Sequence, residues 1–191
     1  MIAFFIIAAI VIILDQLSKI IVSTNMNIYD SVTIIKGFAH FSYVRNDGIA
    51  WGIDAKLWIL IIITIIAIGL FTFLARKLKW SKDKFLIITL GFMLGGTIGN
   101  FIDRLFQSDH SVIDFLDFYL YYPSFKDGFH FALYDFPIFN IADSFLVVGA
   151  IMFIIYFIII EPKKTKKESN NNEVEQVEVV NLDNSKDSDN E

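Results

Sequence analysis

Four long apolar runs, separated by more polar segments, dominate the pattern of this 191-residue chain. They cover about residues 2–22, 57–75, 85–105 and 138–160, and each could cross a hydrocarbon core of roughly 30 Å as a helix. Short alternating runs between residues 23 and 56, broken by glycines, predict a small β-rich segment. Residues 106–137 are rich in aromatic side chains, which predicts an interfacial aromatic loop. We therefore expect an all-α membrane protein with four transmembrane helices.

Composition divides the chain into a membrane part and a polar tail. The sequence is 55% hydrophobic and contains 20 Phe. We expect residues 1–162 to form the transmembrane domain, and residues 163–191, which are rich in Asn, Glu, Asp and Ser, to form a disordered cytoplasmic tail. The net charge of −5 gives no reason to expect a nucleic-acid partner.

Basic residues predict how the helices are oriented. Five basic residues fall within positions 76–84, and four lysines follow the last apolar run. The positive-inside rule therefore places both termini in the cytoplasm and the segments 23–56 and 106–137 on the outer side.

Charged and amide side chains interrupt the apolar runs, where an isolated charge is costly and by default points to function. In this topology the ends of the first and third helices and the start of the fourth lie at one depth, near the outer face. The groups predicted to meet there are Asp15, Lys19, Asn100, Asp103, Arg104, Asp114, Asn140 and Asp143.

Three of these groups also have simpler interpretations. Asp15 and Lys19, four residues apart, could form an ion pair that closes a helix end. Asp143 could be a solvated helix start, favoured by the positive end of the helix dipole.

Glycines recur every four residues in the third run, at Gly91, Gly95 and Gly99. This spacing of small residues predicts that another helix packs closely against that face.

The residue types limit the chemistry that such a site could perform. The chain has no Cys, and its three His are too far apart for an HExxH zinc motif, so we expect no metal site. Paired carboxyl groups that share one proton can act as base and acid on a water molecule, and Asp114 and Asp143 are the obvious pair. A Ser-Lys hydrolase that uses Lys19 with Ser18 or Ser144 is an alternative.

A transporter or proton relay would also place acids among spanning helices. Four helices without an internal repeat, with all the polar groups at one boundary, fit a path across the membrane poorly.

Five ordered motifs in this chain carry a family resemblance. They are Asp15–Lys19, Asn46 with Gly48–Gly52, Gly99–Arg104, Val112–Phe115 and Phe139–Ser144. Through them the chain resembles the lipoprotein signal peptidases, the signal peptidase II family. Ile49 and Trp51 replace an Ala and a Phe of the family pattern.

The resemblance implies a membrane-embedded aspartic endopeptidase of the bacterial cytoplasmic membrane, with its active site near the outer face and no cofactor. Its implied substrates are prolipoproteins, cut just before a diacylglyceryl-modified cysteine, and membrane lipids are the other expected partners. The resemblance implies Asp114 and Asp143 as the catalytic pair. The residues that it implies bind substrate or support the site are Asp15, Lys19, Asn46, Asn100, Arg104 and Asn140.

Overall fold

The computed structural model describes residues 1–48, 57–122 and 131–163. Within these ranges the helices are α1 (Ile2–Asn25), α2 (Leu57–Arg76), α3 (Trp80–Phe106) and α4 (Ile141–Ile155), which is followed by a π-helical turn over Tyr156–Ile160. The strands are β1 (Ser31–Ile35), β2 (Ala39–Asn46), β3 (Val112–Tyr122) and β4 (Phe131–Asp135). The motif residues 49–52 and the predicted tail beyond residue 163 lie outside the described residues.

Among the residues that the structure describes, four helical segments are long and apolar enough to span a membrane: Ile2–Asn25, Leu57–Arg76, Trp80–Phe106 and Ile141–Lys163. The prediction of four membrane helices is confirmed, although two helix starts differ from it. Helix α3 begins at Trp80 rather than near residue 85, and the Asp83 carboxylate accepts the Lys79 N–H at 3.0 Å in its first turn. Helix α4 begins at Ile141 rather than at residue 138, because Phe139 is still bonded to the sheet.

Glycines on α3 let two helices approach it closely, which confirms the predicted ridge of small residues. A Cβ added at Gly95 would lie 2.6 Å from Val11 Cβ and 2.8 Å from the Ala8 oxygen, both on α1. On another face of α3, a Cβ at Gly96 would clash with the backbone oxygen of Ala142 on α4. Helix α3 is therefore packed against both α1 and α4 at the level of the polar residues.

The strands form one antiparallel sheet in the order β1-β2-β3-β4. The β1-β2 pair confirms the predicted β-rich segment. Part of the predicted aromatic loop forms β3 and β4 instead, which is consistent with the strand preference of aromatic and β-branched residues. Ile113 and Phe115 on β3 are buried in a cluster with Val22 of α1, whereas Asp114 between them points to the opposite face.

Candidate active site

Polar residues from α1, β2, α3, β3 and α4 converge on one hydrogen-bonded network. The network or the cavity beside it includes every site residue predicted from the sequence: Asp15, Lys19, Asn46, Asn100, Arg104, Asp114, Asn140 and Asp143. The structure thus brings together groups that lie up to 128 positions apart in sequence, Asp15 and Asp143 being the farthest.

Asn140 and Asp143 form a reciprocal cap at the start of α4. The Asp143 N–H donates to Asn140 Oδ1 at 2.9 Å, and the Asn140 N–H donates to Asp143 Oδ2 at 3.2 Å. Two of the otherwise unpaired N–H groups of the helix start are satisfied in this way. Asp143 therefore lies in the first turn of α4, as the simpler interpretation expects, and it also lines the cavity.

Asp114 is held by two amide side chains. Asn140 Nδ2 donates to Asp114 Oδ1 at 2.6 Å, and Asn46 Nδ2 donates to Asp114 Oδ2 at 2.8 Å. The Asp114 residue is only 1% exposed. Burial, and then the negative charge of Asp143, raise the pKa of Asp114 from 3.8 to about 7, although the two amides and Lys19 act to lower it. Asp114 therefore remains partly protonated near neutral pH.

Asn100 connects Asp143 to a buried lysine. Its Oδ1 accepts from Lys19 Nζ at 3.0 Å and from Asn140 Nδ2 at 2.9 Å, and its Nδ2 donates to Asp143 Oδ1 at 2.7 Å. Because an ammonium can only donate, the Asn100 oxygen must face Lys19 and the NH₂ group must face Asp143.

A buried ion triad lies beneath the carboxyl pair. Lys19 Nζ is 2.8 Å from Asp15 Oδ2 and 2.9 Å from Asp103 Oδ2, and all three side chains are at most 2% exposed. The ion pair predicted between Asp15 and Lys19 is confirmed, but it lies inside the site rather than closing an exposed helix end. Gln16 donates to both carboxylates, at 3.1 and 3.2 Å. Gln16 was not predicted as a site residue, and its only sequence signal is its place in the first motif.

A cavity of about 500 Å³ opens beside the two carboxyl groups. Its polar lining includes Asn46, Asn100 and Arg104, and much of the remaining wall is apolar, formed by Val112, Phe136, Pro137, Ile138, Phe139, Leu146 and Val147. Arg104 is oriented by hydrogen bonds to the backbone oxygens of Gly48, at 3.3 Å, and Asn100, at 3.4 Å. The cavity can therefore place an apolar molecule with a polar, hydrolysable bond against two acids.

The contacts do not support a Ser-Lys hydrolase. The hydroxyl of Ser144 donates to the Asn140 oxygen at 2.9 Å, and that of Ser18 to the Asp15 oxygen at 2.7 Å. Lys19 Nζ instead contacts three oxygens, two of which belong to the carboxylates of Asp15 and Asp103.

Two acids that line one cavity among candidate membrane helices, one of them with its pKa raised to about 7, form an arrangement typical of an aspartic hydrolase. Comparison with known families agrees with this class. The family model described as "Signal peptidase (SPase) II" matches residues 7–159. The chain therefore belongs to the signal peptidase II family, and it is a peptidase of the aspartic type.

Individual relatives support the same assignment. The "Lipoprotein signal peptidase" of Bacillus pumilus (strain SAFR-032) is 41% identical over 163 residues, which cover 85% of this chain and 96% of the relative. Two solved structures, each described as a bacterial membrane enzyme structure obtained by the in meso method, have a TM-score of 0.65 and 37% and 36% identity. The matches cover 81% and 82% of this chain, and 86% and 92% of theirs.

Proposed function

We propose that Asp114 and Asp143 are the catalytic pair with which this signal peptidase removes the signal peptides of prolipoproteins. The observation that carries the proposal is that both carboxyl groups line one cavity and are joined through Asn140, which donates to Asp114 and caps Asp143. The transporter alternative is not favoured, because the family to which the chain belongs is one of peptidases.

The mechanism follows from how the proton is held. Asp114, whose pKa is raised to about 7, remains partly protonated at neutral pH and acts as the acid. Asp143 acts as the base in this proposal, and its carboxyl group accepts two N–H donors at the positive end of the α4 dipole. Asp143 takes a proton from water as the water oxygen attacks the scissile carbonyl carbon, and Asp114 gives its proton to the carbonyl oxygen. When the tetrahedral intermediate collapses, the C–N bond breaks, the leaving amine takes the proton held by Asp143, and the hydroxyl proton returns to Asp114.

The remaining polar residues have supporting roles in this proposal. Asn46 and Asn140 orient Asp114, and Asn100 orients Asp143. Arg104 lines the cavity as a cation with donor groups, and such groups suit the backbone oxygens of an extended substrate.

The substrate that best suits this site is a prolipoprotein whose cysteine already carries a diacylglyceryl group, cut just before that cysteine. The apolar cavity wall supports this proposal, because acyl chains and an apolar signal helix need apolar surface. Val147, which belongs to that wall, is 59% exposed on α4, so the wall continues onto the outside of a candidate membrane helix. Such a substrate would reach the acids from within the bilayer, and membrane lipids would contact the same surface.

We propose that the enzyme lies in the bacterial cytoplasmic membrane with both termini in the cytoplasm. Arg76 and the lysines that follow it join α2 to α3, and such basic segments stay on the cytoplasmic side. Asn100 lies 18 residues along α3 from Lys82, or about 27 Å at 1.5 Å per residue, so the site would be near the outer face. Residues 1–162 would form the peptidase domain, and residues 163–191 a cytoplasmic tail without a part in catalysis.

A cleavage assay tests the function and the substrate separately. The purified protein is incubated with a prolipoprotein peptide that carries diacylglyceryl-cysteine and with the same peptide without the lipid, and the products are identified by mass spectrometry. We expect a single cut before the cysteine, in the lipid-modified peptide alone. Equal cutting of both peptides would contradict the role of the lipid, and no cutting of either would contradict the function.

A further inference from the structure

We infer that Lys19 is a positioning residue that sets the separation of Asp114 and Asp143. Lys19 contacts two carboxylates, and each of them accepts the backbone N–H of the residue that precedes one of these two acids. The inference rests on the proposed function, because it concerns how the catalytic pair is placed. It assigns to the buried ion triad a task that the hydrolytic steps themselves do not require.

The first connection runs through Asp103 of α3. Its Oδ2 accepts the backbone N–H of Ile113 at 3.1 Å and lies 2.9 Å from Lys19 Nζ. Ile113 directly precedes Asp114 on β3, and its N–H bonds to this side chain on a different element, helix α3. The position of Asp103 thus determines where β3 presents Asp114 to the cavity.

The second connection runs through Asp15 of α1. Its Oδ1 accepts the backbone N–H of Ala142 at 2.9 Å, and its Oδ2 lies 2.8 Å from Lys19 Nζ. Ala142 directly precedes Asp143, and its N–H is one of those that a helix start leaves unpaired. Gly99 leaves the space that this contact needs, because a Cβ there would lie 2.6 Å from Asp15 Oδ2.

Lys19 joins the two connections at one atom. Its third partner is Asn100 Oδ1, and the same amide donates to Asp143. The three N–H groups of the ammonium thus match three oxygen partners on α1 and α3, and this geometry leaves little freedom to the groups around it. Buried ion networks contribute little net stability compared with apolar packing, so a role in geometry explains this triad better than a role in stability.

The separation of the pair has measurable consequences. Two acids titrate with two apparent pKa values, and the interval between them grows as the charges come closer. A displacement of about 1 Å can lower catalysis by about 100-fold. Loss of the Lys19 charge alone would shift both apparent pKa values of the pH-rate profile in the same direction. A larger distance between Asp114 and Asp143 would instead bring the two apparent pKa values closer together.

The test compares Lys19→Met with Lys36→Met, which removes an exposed lysine between β1 and β2. For each variant kcat, KM, the pH-rate profile and the melting temperature are measured with the lipid-modified peptide. We expect Lys19→Met to lower kcat by about 100-fold or more, with little change in KM and with a narrower bell-shaped profile. Lys36→Met should match the wild type in all four measurements.

A second variant covers the case in which Lys19→Met does not fold. Asp103→Asn keeps the lysine but leaves a single oxygen for three donors, Lys19, Gln16 and the Ile113 N–H, so it should give the same loss of kcat and the same narrowing. A normal kcat, a parallel shift of both limbs, or a lower melting temperature with an unchanged profile would overturn the inference. If the wild type cleaves and Asp114→Asn does not, such a result leaves the proposed function standing. A wild type that fails to cleave contradicts the proposed function instead.

Discussion

Asp114 should make the stability of this protein depend on pH, and the dependence should disappear in Asp114→Asn. The pKa of Asp114 is about 7 in the folded protein, and its ordinary value of 3.8 applies to the unfolded chain. Between these two pH values the folded protein therefore binds more protons than the unfolded chain does. The contribution of Asp114 protonation to the stability of the folded protein is therefore complete below pH 3.8 and is lost as the pH rises through 7. Between pH 5 and pH 8 the loss amounts to about 3 kcal/mol by linkage.

The assay is thermal unfolding in detergent, followed by tryptophan fluorescence between pH 5 and pH 8. A loss of about 3 kcal/mol corresponds to a fall in melting temperature of roughly 6–12 °C in a chain of this size. Asp114→Asn should lack this part of the pH dependence, whereas Asp30→Asn, which alters an exposed carboxylate, should keep it. Wild type and Asp114→Asn with the same pH dependence would refute the assignment of the proton to Asp114.

Three further predictions concern packing, mechanism and topology. Gly95→Leu should lower the free energy of unfolding by about 1–3 kcal/mol or more, because the new Cβ would overlap Val11. The melting temperature and the activity should fall with it. Gly69→Leu on α2 is the matched control, since a Cβ there meets no atom of the described chain within 4 Å, and near-normal stability of Gly95→Leu would refute the packing. Ser144→Ala should lower the cleavage rate by a few fold at most, and an inactive Ser144→Ala would favour a serine mechanism. Chelators should leave the cleavage rate of the wild type unchanged. A reporter active only outside the cytoplasm should work when fused after residue 125 and fail after residue 165, and the reverse pattern would contradict the topology.

The helices could be predicted from the sequence because each apolar run is long enough to cross the membrane core. Their ends depend on single contacts that the apolar pattern does not encode. Asn140 caps α4 while Phe139 is still bonded to Leu116 of β3, so the apolar run starts before the helix does. The strand β3 was predicted as part of an aromatic loop, because its many aromatic residues hide the alternation between the buried Ile113 and Phe115 and the site residue Asp114.

The membership of the site could be predicted because charged and amide groups inside apolar runs are costly to bury, and because topology placed them at one depth. How these groups connect could not be predicted. Asp15 binds a backbone N–H 127 positions away, at Ala142, and Asp103 binds that of Ile113. Neither contact leaves a trace in the spacing of residues, because the acceptor is a side chain and the donor is a main-chain group that every residue but proline possesses.

Cleavage of a lipid-modified prolipoprotein peptide by Asp114→Asn and by Asp143→Asn tests the catalytic pair most directly. Each substitution removes one acid while keeping nearly the same shape, so both proteins should insert and fold, and Lys36→Met serves as an active control. The account predicts that neither Asn variant cleaves, while the wild type gives a bell-shaped pH-rate profile that belongs to the pair. Cleavage by either folded Asn variant at close to the wild-type rate would contradict the account.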